Sequence, residues 1–80
     1  MFFLIEYDRL SRRLLRLEAF TPADRARATD ARLELELALN RRGVGDHEVV
    51  ILEATDEQAL RRTHRRYFEN LAGIVSSFAA

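Results

Sequence analysis

The chain has 80 residues, of which 48% are hydrophobic and 32% are charged, with three glycines and one proline. This composition excludes a disordered or membrane-spanning chain and is typical of one small globular domain over residues 1–80. Thirteen arginines balance thirteen acidic residues, so no overall charge draws the chain to nucleic acid or to a membrane. Because cysteine is absent, disulfides and thiolate chemistry are excluded, and we expect a cytoplasmic protein that needs no cofactor.

A β-hairpin is predicted at the start of the chain. Residues 2–8 place apolar side chains on both sides of a strand alternation, which is typical of a central strand covered on both faces. The polar stretch at residues 8–12 predicts a turn. Alternation resumes over residues 14–20 and predicts the second strand of the hairpin.

The first helix is predicted over residues 22–41. Thr21 is a favourable N-cap and Pro22 suits the first helical position, while Gly43 can adopt the left-handed conformation that ends a helix. Residues 32–39 alternate like a strand, but they consist of Arg, Leu, Glu and Ala, which are strong helix formers. We therefore predict a helix here.

This helix has two apolar sides at helical spacing. One side carries Ala26, Leu33 and Leu37, and the other carries Ala31, Leu35, Ala38 and Leu39. One side can cover a sheet, and the other then needs the second helix or another subunit. We predict an oligomer interface at Leu35, Ala38 and Leu39.

A third strand and a second helix are predicted in the remaining chain. Residues 47–54 contain four consecutive apolar residues, three of them β-branched, which favours a strand buried on both faces. Thr55 or Asp56 is expected to cap a helix that continues to residue 78, with residues 76–80 frayed. Its apolar stripe consists of Leu60, His64, Tyr67, Phe68, Leu71, Ile74, Val75 and Phe78.

The predicted fold class is α+β with the order β-β-α-β-α. The helical crossover places the third strand parallel to the second, with the apolar first strand between them. We expect a three-stranded sheet with both helices on one face, an open edge and a partly apolar back face.

Four arginines on the last helix form a candidate anion-binding face, namely Arg61, Arg62, Arg65 and Arg66. Their spacing would allow them to bind a phosphate or the carboxylates of a protein partner. A solvated face with intrahelical ion pairs is the alternative that we favour. No aromatic residue lies between the arginines on that side, which argues against single-strand binding.

His64 lies in the apolar stripe with Tyr67 nearby. A buried imidazole can act as a base or a pH sensor, although packing with satisfied ring nitrogens is the more common role. The serines lack a nucleophile arrangement, and the two histidines lack partners at metal-ligand spacing. We predict neither a catalytic residue nor a metal site.

One resemblance covers the chain to about Phe68. Residues 48–54, Glu-Val-Val-Ile-Leu-Glu-Ala, and residues 60–68, Leu-Arg-Arg-Thr-His-Arg-Arg-Tyr-Phe, follow an opening Phe-Leu-Ile-Glu-Tyr-Asp at residues 3–8. This pattern resembles a group of small, stand-alone bacterial proteins of unknown function from GC-rich genomes. The resemblance supports the predicted strands and helices and implies no activity.

Three functions remain open from the sequence. The first is a non-enzymatic interaction or regulatory module that forms a homodimer and binds an unknown protein partner. The second is a nucleic-acid accessory protein that uses the arginine face of the last helix, which we do not favour. The third is a small-ligand site or enzyme that uses His64 and Tyr67. Membrane attachment is not expected, because the apolar stripe is needed to cover the sheet.

Overall fold

The computed structural model describes residues 1–69 and contains three strands and two α-helices. In chain order these are β1 (Phe2–Asp8), β2 (Arg13–Phe20), α1 (Arg25–Arg41), β3 (His47–Glu53) and α2 (Glu57–Thr63). The predicted α+β class, the order β-β-α-β-α and the three-stranded sheet are confirmed. The predicted continuation of the last helix through residue 78, with its apolar residues beyond position 69 and the frayed end, lies largely outside the described residues.

The sheet has the order β2-β1-β3, with β1 antiparallel to both neighbours. β2 and β3 are consequently parallel to each other on either side of β1, as the sequence predicted. Phe2 lies opposite Phe20 on one side and opposite Glu53 on the other. This central position explains why β1 is apolar in both directions.

The two helices cover opposite faces of the sheet, so the prediction that both lie on one face is wrong. Leu60 of α2 packs with Phe3 and Ile5, whereas Ala28 of α1 packs with Leu4 and Phe20. The physical reason lies in β1, whose large apolar side chains alternate between two faces that both have to be removed from water. A single covered face would leave Leu4 exposed, and Leu4 is fully buried.

The start of α1 is tighter than predicted. Pro22–Asp24 forms a single turn of 3-10 helix before the α-helix begins at Arg25. Thr21 precedes this turn, but its hydroxyl makes no capping bond to the backbone and lies 3.2 Å from the Asp24 carboxylate. Thr21 therefore marks the boundary without capping the helix.

The end of α1 follows the predicted glycine stop. Gly43 has φ +70°, and the amides of Gly43 and Val44 bond the carbonyls of Asn40 and Leu39 at 3.1 and 2.9 Å. This pair of bonds is a Schellman motif, which needs a left-handed residue at the position of Gly43. The chain then passes through a short loop into β3.

The turn between β1 and β2 meets this loop. Asp8 accepts hydrogen bonds from the Leu10 amide at 3.0 Å and the Ser11 hydroxyl at 2.8 Å, and the Ser11 bond is the main reason the pKa of Asp8 is lowered. Arg12 ends the turn with φ 57°, a left-handed conformation that costs an ordinary residue about 1 kcal/mol. The Arg9 amide bonds the Asp46 carbonyl at 2.9 Å, which joins the two loops.

α2 is shorter than predicted. Asp56 caps it by accepting a 2.8 Å hydrogen bond from the Ala59 amide, and the helix ends at Thr63. His64 leaves helical geometry at φ −126° and ψ 55°, and Arg65–Tyr67 forms a separate 3-10 turn. The continuous helix expected across these residues is therefore wrong, since the chain turns at His64 before Tyr67 enters the core.

Candidate functional site

The four predicted anion-binding arginines do not form one exposed face. The Arg61 guanidinium lies 3.4 Å from the Glu57 carboxylate and 4.5 Å from the centre of the Phe68 ring. Arg66 bonds the Glu48 carboxylate of β3 at 2.5 Å. Arg62 and Arg65 are exposed and make no ion pair with the described part of the chain. The break at His64 and these contacts divide the cluster.

Glu48, Arg66 and Tyr67 form a three-residue cluster between β3 and the 3-10 turn. The Tyr67 hydroxyl donates a hydrogen bond to Glu48, and Arg66 donates to both the carboxylate and, at 2.6 Å, the Tyr67 oxygen. The Tyr67 ring is 4% exposed and packs edge-on against Tyr7, with the ring centres 5.3 Å apart. The cluster thus fastens the end of the described chain to the sheet.

The cluster shifts the pKa values of its members. Burial, together with the hydrogen bond to Glu48, raises the pKa of Tyr67 to about 12. The Tyr67 hydroxyl, followed by Arg66, lowers the pKa of Glu48 below its ordinary value. At neutral pH Tyr67 is therefore a hydrogen-bond donor and Glu48 an ionised acceptor, which suits a structural tie more than proton transfer.

His64 and Tyr67 lie close in sequence but point to different partners. His64 is half-buried, and its Nδ1 lies 2.9 Å from the Thr63 hydroxyl, which also donates to the Ala59 carbonyl. Within residues 1–69 the two residues are joined through the backbone, where the Tyr67 amide bonds the His64 carbonyl at 3.3 Å. Across residues 1–69 the two side chains share no hydrogen bond, so they do not form a paired acid and base.

The two apolar sides of α1 have the opposite roles from those predicted. Leu39 is 6% exposed, and Leu35 and Ala38 are half-buried in the isolated chain, because this side of α1 faces the sheet. Leu33 and Leu37 are 55% and 45% exposed. The apolar surface available to a second molecule is therefore the side that carries Leu33 and Leu37.

The outer edge of β3 is open in the described part of the sheet. Met1 and Ala54 exchange two backbone hydrogen bonds, at 2.9 and 3.0 Å. They are therefore a hydrogen-bonded pair of the ladder between β1 and β3. Because such pairs alternate along an antiparallel ladder, the backbone groups of Val49 and Ile51 point away from β1. This edge carries unpaired donors and acceptors along a run of β-branched residues.

The outer edge of β2 is interrupted. The pairing register shifts beyond Glu6, which lies opposite Arg16, so that Tyr7 lies opposite Leu14 and Leu15 bulges out. Arg16 and Glu18 pair at 2.8 Å along this strand. A bulge and charged side chains are features that discourage edge-to-edge pairing, and β3 has no bulge in its register with β1.

A second polar pair crosses the sheet and was not anticipated. The His47 Nδ1 lies 2.7 Å from the Glu6 carboxylate, and both side chains are largely shielded from solvent. The pair joins β3 to β1 one position away from the Glu48 cluster. No sequence signal identifies it, because the register between strands 41 positions apart decides which residues meet.

Among residues 1–69 no helix is long and apolar enough to span a membrane, and no group of three His, Asp or Glu side chains is placed to hold a metal ion. Comparison of the chain with family models, curated proteins and solved structures finds no match. The resemblance to small bacterial proteins accordingly stays a prediction.

Proposed function

We propose that this chain is a small non-enzymatic interaction module that works as a homodimer through the outer edge of β3. The observation that carries this proposal is the open backbone edge at Val49 and Ile51 on an unbulged, β-branched strand. Such an edge is a ready template for another strand. A second copy of β3 offers the same run and suits the self-complementary contact of a two-fold dimer.

The position of α1 supports the same arrangement. Antiparallel pairing of two β3 strands makes one six-stranded sheet and keeps both α1 helices on one face. α1 contacts β1 and β3 more extensively than β2, so with strands about 4.8 Å apart the two helices would lie roughly 10 Å from each other. Helices pack at about that separation.

Leu33 is the apolar residue best placed at this helix contact. Thr29 and Arg32 line the groove between α1 and Ile51 of β3, and Leu33 lies beside them on the outer surface. In the monomer Leu33 is more than half exposed, and contact with a second α1 would remove it from water. The predicted interface at Leu35, Ala38 and Leu39 is replaced in this proposal by Leu33 and the β3 edge.

The proposal is tested with a proline at the edge. In Val49→Pro the amide that is lost points away from β1, so the ladder with β1 keeps its hydrogen bonds while the dimer ladder loses one amide donor from each subunit. Val49→Ala is the matched control, because it also removes the valine side chain but keeps the backbone amide. Sedimentation velocity should show a dimer for the natural chain and for Val49→Ala, and a monomer for Val49→Pro.

Amide hydrogen exchange identifies the edge that pairs. The amides of Val49 and Ile51 should gain protection as the protein concentration rises, since dimer formation gives them carbonyl partners. The amides of Leu17 and Ala19, which point outward from β2 by the same alternation, should not change. A strict monomer at high micromolar concentration, or protection of the β2 amides instead, would rule out the proposed dimer.

A further inference from the structure

The fold gathers five arginines at one end of the sheet. The turn between β1 and β2 meets the loop that follows α1, as the bond from the Arg9 amide to the Asp46 carbonyl shows. The turn and the start of β2 contribute three of these arginines, and the end of α1 contributes two. We call this surface the basic end; its residues are Arg9, Arg12, Arg13, Arg41 and Arg42.

The basic end carries local charge that the whole chain does not. All five of its arginines are exposed, and none makes an ion pair with any residue from 1 to 69. The acidic residues in the two loops are Asp8 and Asp46, which leaves three positive charges in excess. Since the chain as a whole is neutral, this excess is a distinct positive pole on the surface.

Arg12 adds an independent observation. It is the one residue other than glycine with positive φ in the described chain, at 57°, where glycine or asparagine would fit without strain. Strained backbone positions cluster at functional sites.

We propose that the basic end binds the phosphate backbone of a nucleic-acid duplex. The Arg9 guanidinium donates a hydrogen bond to the Gly45 carbonyl at 3.4 Å. Exposed guanidinium groups without a carboxylate partner are suited to bidentate contacts with phosphate. A two-stranded β-ribbon fits the major groove of DNA, and here the tip of such a ribbon, Leu10, is 77% exposed between the arginines. No aromatic side chain is exposed at this end among residues 1–69, which removes the stacking platform that single strands need.

This surface is separate from the proposed dimer edge and from the arginines of α2 and the 3-10 turn that follows it. It replaces Arg61, Arg62, Arg65 and Arg66 as the nucleic-acid candidate. The two proposals can fail independently, because the dimer depends on backbone groups of β3 and duplex binding depends on side chains of the two loops.

The test is fluorescence anisotropy with a labelled DNA duplex, measured between about 50 and 200 mM salt. We expect binding at low salt, with log K falling by about 0.9 per logarithmic unit of salt for each phosphate contacted. An RNA duplex and a single strand of the same sequence distinguish the type of nucleic acid. Anionic phospholipid vesicles test a membrane surface as the alternative partner.

Two triple variants, each lacking three positive charges, distinguish duplex binding by the basic end from binding by the arginines at residues 61–65. Arg12→Gln with Arg13→Gln and Arg42→Gln should weaken duplex binding at least tenfold and lower the salt slope by about two to three units. Arg61→Gln with Arg62→Gln and Arg65→Gln, the matched control, should bind within about threefold of the natural chain. Circular dichroism confirms that each variant is folded.

Arg12→Gly provides a second test, in which duplex affinity should fall without a loss of stability. Glycine relieves the left-handed strain, so the urea midpoint should rise or stay unchanged while duplex affinity falls severalfold. No duplex binding at low salt, an equal loss in the α2 triple variant, or binding to anionic vesicles in place of duplex would each overturn the proposal.

Discussion

The hydroxyl of Tyr67 donates a hydrogen bond to the carboxylate of Glu48, which joins the 3-10 turn after α2 to the edge strand β3. Arg66 bonds the same carboxylate at 2.5 Å. The short helix α2 is thus held at its middle by Leu60, which packs in the core, and beyond its last turn by this cluster.

Tyr67→Phe should reduce the free energy of unfolding by about 1 to 2 kcal/mol. A hydrogen bond to a charged group contributes about 1.5 to 3 kcal/mol, and partial exposure of Glu48 together with its remaining bond to Arg66 reduces the loss. Urea unfolding measures the change. Tyr7→Phe is the control, because the Tyr7 hydroxyl has no hydrogen bond to residues 1–69, and equal losses in both variants would contradict the role of this bond.

The raised pKa of Tyr67 predicts alkaline destabilisation. Between pH 10 and about 12 the tyrosine ionises in the unfolded chain and stays protonated in the folded chain, so unfolding releases a proton and stability falls as the pH rises. Below pH 10 this contribution is fully present. The slope of unfolding free energy against pH in this window should be shallower in Tyr67→Phe; parallel curves would contradict the assignment.

The lowered pKa of Glu48 predicts that stability falls as the pH is lowered in the acid range. Its contribution to stability is present above the ordinary pKa of 4.5 and is lost as the pH falls through the lower value in the folded chain. Glu48→Gln should remove part of the acid-induced loss seen in urea titrations below pH 4.5. Glu53→Gln, which removes an exposed glutamate of the same strand, is the matched control, and equal changes in both variants would contradict the role of Glu48.

Asp56→Ala should cost about 1 kcal/mol, because the Asp56 carboxylate caps α2 through the Ala59 amide. Thr21→Ala should cost only a few tenths of that, since the Thr21 hydroxyl makes no capping bond to the backbone. Thermal or urea unfolding of both variants decides the matter. A larger loss for Thr21→Ala would mean that the 3-10 turn does need its threonine.

Leu60→Ala should destabilise the chain by about 2 to 5 kcal/mol, because Leu60 is fully buried between α2 and the sheet. Leu10→Ala, at the exposed tip of the hairpin, should change stability by less than about 0.5 kcal/mol. A small effect of Leu60→Ala on urea unfolding would show that α2 contributes little to the core.

Local sequence patterns predicted the sheet well. Apolar residues on both sides of β1 identified it as the central strand, and the proline and glycine around α1 marked its limits near Pro22 and Arg41. These features depend on alternation, propensity and capping within a few positions, so they are readable before any tertiary contact is known.

Local patterns did not predict which face of the sheet each helix covers, nor where α2 ends. Neither glycine nor proline marks the end of α2 at Thr63 and His64. The helix ends where Tyr67 can pack against Tyr7 and bond Glu48. Tertiary contacts of this kind override helix propensity. The basic end was missed for a related reason, since β1 pairing brings residues 9–13 and 41–42 together from distant parts of the chain.

The central position of β1 also constrains the order of folding. The β1–β2 hairpin can form from neighbouring residues, but the other side of β1 remains bare until β3 arrives, and the outermost pair, Met1 and Ala54, is 53 positions apart. Phe3 and Ile5 stay accessible during that interval. A nascent chain that stalls before Glu53 would therefore expose apolar side chains and an unpaired edge of β1. Such a chain would bind chaperones and would be prone to aggregation.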